Sequence, residues 1–538
     1  MFYLKNSDLA QLFEIVLLEN AFDQELPYFA EPELTPATVL HLTNATLQAK
    51  DDGHALIWNP ETGTWCFISP MEYPVCQSMM EPIRYGELRQ KHRLQHGDQD
   101  IELTEFLTHL YQRGLLALDG QQGIDQDIYA NGPLFTEAFI LELMLTEKCN
   151  LGCAYCFAEA DNSKDDMTLE LGKRAIDKML ALPDQSFVVK FGGGEPLSRF
   201  RTLIQLVEYA LQANKTQRAE EAAILFDITT NGTLITDRVV EALRCYPIRL
   251  QISFDGLPEI HDTVRYYLNG KGSSRDVVAA FSELHQNELP FRVITVVRGP
   301  HIPKAKDLFR YYDDLGIKHV RFNPMIRSGR GSFVEQQHGI TPESYFHFMQ
   351  QLVEHMAEHL TFSDDSIQSM VRNLVGRTRD FRCMRGTCGA GITYLNVDAK
   401  GNLHPCAYFR SASRHVDLGN VESNDLSFHA CCKNDPIVTR MAQRTVHTIA
   451  RCSRCPWRHV CTGGCAMGAY QKYGNFDHPS DLCDYYVKMY PFLLDTLHHT
   501  PELATFLLPD IEQCMPAGIP ASPANSRKEV IANAQQSV

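Results

Sequence analysis

Six short apolar runs occupy the middle of the chain: Phe139–Leu145, Ser186–Phe191, Ile224–Thr229, Arg249–Phe254, Phe291–Val297 and Lys318–Phe322. Helical stretches alternate with them, and strands that alternate with helices fold as a parallel α/β sheet or barrel. In parallel barrels the ligand-binding groups gather at the C-terminal ends of the strands. The first of these ends carries the run Cys149-Asn-Leu-Gly-Cys153-Ala-Tyr155-Cys156. Three thiolates that close together suit iron–sulfur or zinc. No fourth protein ligand lies nearby, so a four-iron cluster here keeps one iron open, while a structural zinc needs a distant fourth ligand.

The next ends add to this pattern. Ser186–Phe191 runs into Gly192-Gly193-Gly194-Glu195-Pro196, Ile224–Thr229 into Thr230-Asn231-Gly232-Thr233, and Arg249–Phe254 into Asp255-Gly256 and then His261-Asp-Thr-Val-Arg265. Glycine permits close backbone approach to a ligand, whereas Asn-Gly and Asp-Gly alone are ordinary turn dipeptides. Taken in order, the four features resemble the radical S-adenosylmethionine (SAM) enzymes, with their Cys-x3-Cys-x2-Cys and Gly-Gly-Glu-Pro motifs. The resemblance implies an α/β fold built on a partial (β/α)6 TIM-like barrel over residues 135–345, open on one side for a large substrate. It also implies that Cys149, Cys153 and Cys156 hold a catalytic four-iron cluster whose open iron chelates SAM. Glu195 would accept from the ammonium of SAM, and Tyr155, Gly193 and Gly194 would line the same pocket. Asn231, Ser253, Asp255 and Arg265 would reach its ribose and carboxylate.

A second constellation fills residues 381–490: Cys388, Gly401 and Cys406, then Cys452-x2-Cys455-x5-Cys461-x3-Cys465, then Cys483. A zinc ribbon is the plain reading of Cys452 to Cys465. The whole set is similar to the SPASM domain, which binds auxiliary clusters. That resemblance implies two further four-iron clusters, one on Cys383, Cys388, Cys406 and Cys465, the other on Cys452, Cys455, Cys461 and Cys483. Without Cys383, whose spacing to Cys388 varies among relatives, the first would keep an open iron.

Eleven of the 17 cysteines enter these sets, and the rest (Cys66, Cys76, Cys245, Cys431, Cys432 and Cys514) read as reduced thiols. With no signal-peptide pattern and no apolar stretch that spans a bilayer, a reducing, cytoplasmic setting is expected. The net charge of −16 argues against general nucleic-acid binding.

At 538 residues the chain divides into several domains. Residues 1–34 read as a helical extension and 35–122 as a winged-helix-like unit. The latter has a hairpin, Ala55–Trp58 and Thr64–Ile68, and a helix, Ile101–Gly114, with Leu103, Phe106, Leu107 and Leu110 on one face. Leu115–Leu118 reads as the wing or a last strand. Residues 346–380 read as a helical bridge and 491–538 as a tail whose Pro- and Ala-rich end is disordered. A winged helix commonly reads DNA, but Asp100, Glu102 and Glu105 on this helix would repel phosphate. Beside a radical SAM core, the unit resembles the peptide recognition element of ribosomal peptide maturation systems. Such elements take up a leader peptide as an added edge strand.

The resemblance therefore implies a maturase that abstracts hydrogen from a ribosomally made precursor peptide and forms a carbon–carbon or thioether crosslink. The surplus electron would leave through the auxiliary clusters, and a flavodoxin or ferredoxin would supply the first electron. No membrane partner is expected. Anaerobic sulfatase maturation, which makes formylglycine, is the alternative. Those enzymes carry an Asp base directly after the cysteine equivalent to Cys406, where this chain has Ala407. An iron-sensing DNA-binding regulator is the alternative outside enzymes.

Overall fold

The computed structural model describes residue 32 and residues 34–509, apart from 51–52, 62, 97–99, 113, 123–137, 163, 184–185, 219–220, 376–387, 411–417, 424–426 and 429–434. The extension expected over 1–34, all but its last few residues, lies outside the described residues, as do Cys383 and the end of the tail.

The N-terminal region holds strands β1 (Val39–His41), β2 (Thr46–Ala49), β3 (Ala55–Asn59), β4 (Thr64–Ile68), β5 (Ile83–Arg84), β6 (Ala117–Leu118) and β7 (Gln121–Gln122). They form two small sheets, ordered β2-β3-β4 and β5-β1-β6-β7. The Leu115–Leu118 stretch thus ends in a strand paired with β1 and β7, not with the hairpin. The helix Asp100–Gln112 buries Leu103, Phe106, Leu107 and Leu110, and Gly114 ends it at φ +67°, where Leu115 N–H bonds back to Leu110 O.

The β3–β4 hairpin is buried on both faces. Ala55, Ile57, Cys66 and Ile68 pack into the N-terminal core. Leu56, Trp58 and Trp65 face the other way and join the core of the rest of the molecule. This alternation follows from the two-residue period of a strand.

The central sheet comprises β8 (Phe139–Thr146), β9 (Ser186–Gly193), β10 (Ala223–Thr230), β11 (Ile248–Ser253), β12 (Phe291–Val297), β13 (His319–Pro324), β14 (Ser363–Asp364), β15 (Tyr394–Val397) and β16 (Leu403–His404). Its order is β14-β13-β12-β11-β10-β9-β8-β15-β16. Strands β8 to β13 are parallel and adjacent in chain order, with helices Leu169–Leu180, Phe200–Gln217, Asp237–Cys245, Ser274–Gln286 and Ala305–Asp314 between them. The sheet reaches past both limits of the expected barrel. Ser363–Asp364, within the expected bridge, pairs with β13, and Tyr394–Val397, within the Cys-rich region, pairs with β8. A two-residue strand carries no periodicity to read. β14 is secured instead by the Asp364 carboxylate, which accepts from the N–H groups of Phe322, Ser366 and Ile367.

Alternate residues explain the curvature and its contents. Leu250, Ile252, Val293, Val297 and Phe322 are buried on one face, in the same core as helix residues such as Leu206, Phe281 and Phe309. Of the opposite positions, Thr229, Gln251, Ser253, Ile294, Val296, Arg321 and Asn323 are half-buried, while Glu142, Met144 and Asp227 are buried. The inner face is therefore an open, largely polar trough. A closed barrel of this size would instead fill its interior with apolar layers.

Candidate functional site: three cysteine clusters around an open barrel

The loop after β8 carries Cys149, Cys153 and Cys156, and three other segments hold it in place. Gly194 N–H donates to Thr146 O at 2.7 Å, and Glu195 N–H to Lys148 O at 2.9 Å. A Cβ on Gly193, at φ +116°, would overlap the Thr146 carbonyl oxygen, and one on Gly194 would overlap that of Lys148. The glycines are thus required by how tightly β9 closes on the loop. From the β11 side, Gly152 N–H donates to Tyr266 O at 2.8 Å and Ala154 N–H to Val264 O at 2.9 Å.

The third segment follows β13. Arg330 N–H donates to Cys156 O at 3.1 Å, its Nε to Cys153 O at 2.9 Å and its Nη1 to Ala160 O at 3.0 Å. Arg330 escaped the sequence reading because its place depends on the sheet curving back on itself.

Glu195 is fully buried and accepts from Leu197 N–H, Thr230 Oγ1 and, at 2.7 Å, Asn231 N–H. Burial raises its carboxyl to about 7 in spite of those donors. Asn231 Nδ2 reaches Asn150 Oδ1 at 2.8 Å and lies 3.8 Å from Cys149 Sγ. Ser253, at the end of β11, is half-buried on the inner face. Asp255, Arg265 and Tyr155 form one buried network. Tyr155 Oη donates to Asp255 Oδ2, Arg265 Nε stands 3.3 Å from Asp255 Oδ1, and the Arg265 guanidinium lies over the Tyr155 ring. The network includes Arg298, fully buried and 3.9 Å from Asp255, which the sequence reading missed for want of a motif. Burial raises the Asp255 pKa, but Arg265 and Arg298 overcome it and hold the carboxyl well below its usual range. His261 receives Asp255 N–H on Nδ1, and burial lowers its pKa to about 4, so it is neutral.

The donors suit a cationic soft-metal cluster. Burial pushes the Cys149 thiol up to about 12, with Cys153 and Cys156 among its electrostatic neighbours. Burial raises Cys153 too, while Arg265 and Arg330 oppose it. Thiols in this position become thiolates when a metal group supplies positive charge.

Cys452, Cys455, Cys461 and Cys483 line one cavity of about 200 Å³, together with Arg451, Trp457, Arg458 and Tyr486. Among the described residues, no three His, Cys, Asp or Glu side chains surround one metal position. Cys388 and Cys465 are the thiols nearest to Cys406 in electrostatic terms, and burial raises Cys406 well above a free thiol. Cys383 lies outside the described residues. The N-terminal hairpin reaches this region. Trp58 Nε1 donates to Pro456 O at 3.0 Å, its ring lies 4.4 Å from that of Trp457, and Glu61 pairs with Arg458 at 2.6 Å.

Residues 143–311 match the sequence profile of the Radical SAM superfamily. Fold and matched domain together define the class: residues 143–311 form a radical SAM domain, and that superfamily of enzymes implies SAM and a four-iron cluster. Among curated proteins it is similar to an uncharacterized protein, MJ0907, of Methanocaldococcus jannaschii, 36% identical over 183 residues. That match covers 34% of this chain and 61% of the relative's length. It is also 21% identical over 356 residues to a cysteine-type anaerobic sulfatase-maturating enzyme of Clostridium novyi, covering 63% of this chain and 90% of that protein. Among solved structures, native anSMEcpe with bound AdoMet and Cp18Cys peptide superposes with a TM-score of 0.58 at 20% identity, over 68% of this chain and 98% of that one. No helix among the described residues is long and apolar enough to cross a membrane.

Proposed function

We propose that this protein modifies a ribosomally made precursor peptide by abstracting hydrogen at an unactivated carbon and closing a carbon–carbon or thioether crosslink. The observation that carries the reading is the separation of two kinds of thiol site. Three thiols stand at the mouth of the open trough, and four more line a separate cavity in the Cys-rich region. The three-thiol set leaves an iron for SAM; the four-thiol set is closed and suits electron transfer. When bound at Cys149, Cys153 and Cys156, the cluster and SAM supply the hydrogen-abstracting chemistry.

This chain's residues then bind and orient. Glu195 receives the SAM ammonium on the remaining lone pair of its carboxylate. Gly193 and Gly194 keep the backbone close, and Asn231 and Ser253 face the ribose. Arg265 turns its charge toward the SAM carboxylate, and Asp255 and Tyr155 fix that arginine in place. The half-buried polar positions of the inner face admit a peptide backbone and its water. A second closed site on Cys383, Cys388, Cys406 and Cys465 completes the electron exit, and a flavodoxin or ferredoxin delivers electrons to the first. The leader segment docks on β2, whose residues Thr46, Gln48 and Ala49 are exposed, whereas the other edge of that sheet, β4, is buried apart from half-buried Phe67. A reducing cytoplasm is the setting such clusters need.

Sulfatase-type maturation is the second reading, favoured by the similarity to cysteine-type and serine-type anaerobic sulfatase-maturating enzymes. Ala407, which opens the helix Ala407–Arg410, offers no carboxylate for it. Mass spectrometry of the candidate peptide after anaerobic co-expression separates the two. Loss of a hydrogen pair that fragmentation localises to a bond between two residues supports crosslinking, whereas an aldehyde at one residue, in place of a Ser hydroxyl or a Cys thiol, supports the sulfatase type.

A further inference from the structure

Arg444 stands between the two groups of cysteines in the C-terminal region and belongs to neither. Its side chain is buried, and all its hydrogen bonds go to main-chain carbonyls. Nη2 donates to Gly463 O at 2.8 Å and His478 O at 2.9 Å, Nη1 to Gly464 O at 3.1 Å, and Nε to Phe476 O at 3.2 Å. The Gly463 and Gly464 carbonyls lie in the turn that joins Cys461 of one group to Cys465 of the other. Three successive residues of that turn, Thr462, Gly463 and Gly464, take left-handed φ values of +56°, +83° and +65°. Thr462 adopts this conformation without the freedom of glycine, a strain that persists only where the surroundings enforce it. Thiols of both groups interact electrostatically with the Arg444 charge: Cys452 and Cys461 of one, Cys388 and Cys465 of the other. Among the described residues no carboxylate shares its hydrogen bonds.

We propose that Arg444 is a positioning residue shared by both auxiliary iron–sulfur sites, which fixes the Cys461–Cys465 turn and raises the reduction potential of both sites at once. The proposal rests on the reading that both cysteine groups bind clusters. A fixed positive charge beside a cluster favours the reduced, more negative form, and charge and hydrogen bonding are the levers by which a protein sets that potential. A single arginine between two sites links their potentials, so that both remain able to accept an electron from the trough.

The test is a redox titration, followed by electron paramagnetic resonance, of the full chain reconstituted anaerobically as wild type, Arg444→Met and Arg444→Lys. The methionine variant is expected to lower the midpoints of both auxiliary sites and leave that of the Cys149 site unchanged. The lysine variant keeps the charge and is expected to hold both midpoints near the wild type. Lysine cannot span four carbonyls, however, so its auxiliary sites should release iron to a chelator roughly 10-fold faster, as when a partner of a ligand is lost. Wild-type midpoints in an iron-loaded methionine variant would overturn the inference. Should that variant fail to hold iron, a lysine variant with wild-type iron release would overturn it as well. Cys455→Ala separates the two layers of the claim: if it retains full iron, the cluster reading falls and Arg444 falls with it.

Discussion

Arg458 and Glu61 pair at 2.6 Å across the boundary between the N-terminal hairpin and the loop that carries Cys455 and Cys461. The same arginine donates from Nη1 to Cys455 O at 3.1 Å. The hairpin thus touches the cysteine-bearing loop directly, through Glu61 and through Trp58 on Pro456 and Trp457. Arg458→Met removes buried, charge-assisted bonds and is expected to destabilise the chain by roughly 1.5–3 kcal/mol. Glu61→Gln acts on the half-exposed end of the pair, and about 1 kcal/mol or less is expected. Urea denaturation of both variants checks the order; equal losses would mean that the bond to Cys455 O contributes nothing.

Gly194→Ala brings a methyl group into the Lys148 carbonyl oxygen, where only backbone can yield. The loop must then open, so iron at the Cys149 site should fall to near background while the auxiliary iron remains. Spectroscopic iron counts on the reconstituted variant decide this, and full iron at the first site would refute the close approach.

Arg330 ties Cys153, Cys156 and Ala160 to the segment after β13. Arg330→Ala should speed hydrogen exchange of residues 153–160 in the metal-free protein and weaken iron retention there by about 10–100-fold. Unchanged exchange would show that the other two segments suffice.

His261 is buried with both ring nitrogens engaged, on Asp255 N–H and Ser273 Oγ. Its pKa falls from 6.5 to about 4 through burial. Folding therefore excludes a proton that the unfolded chain would bind below pH 6.5. The contribution of His261 is complete above that pH and declines as pH falls toward 4. At pH 5 the loss is about 2 kcal/mol, from 1.36 kcal/mol per pH unit. Urea unfolding at pH 7 and pH 5, with His261→Asn as the pH-insensitive comparison, measures it. Equal sensitivity in the two proteins would assign the effect to other groups.

What was legible in the chain follows from how far each feature depends on distant residues. The six strands and the loop chemistry at their ends are local, since an apolar run and the turn after it are neighbours in sequence. Cys452, Cys455, Cys461 and Cys483 line one cavity, and their spacing is what made them stand out in the sequence. Arg298, Arg330 and Arg444 gave no signal: each acts through carbonyls or carboxylates brought close only by tertiary packing. Strands β14 and β15 were hidden for a similar reason, being short segments that join the sheet from regions with other expected roles. The hairpin was visible, but its second face was not, since Trp58 and Trp65 are apolar in either role.

The central claim is that the three-thiol and four-thiol sites act together on a peptide. Its most direct test is mass spectrometry of a short peptide encoded beside the gene, after anaerobic co-expression with the wild type, Cys149→Ala and Cys455→Ala. The account predicts loss of one hydrogen pair per modification, localised by fragmentation to a bond between two residues, with the wild type and none with either variant. An unchanged mass with the wild type, or a hydrogen-pair loss that persists in Cys455→Ala, would contradict it.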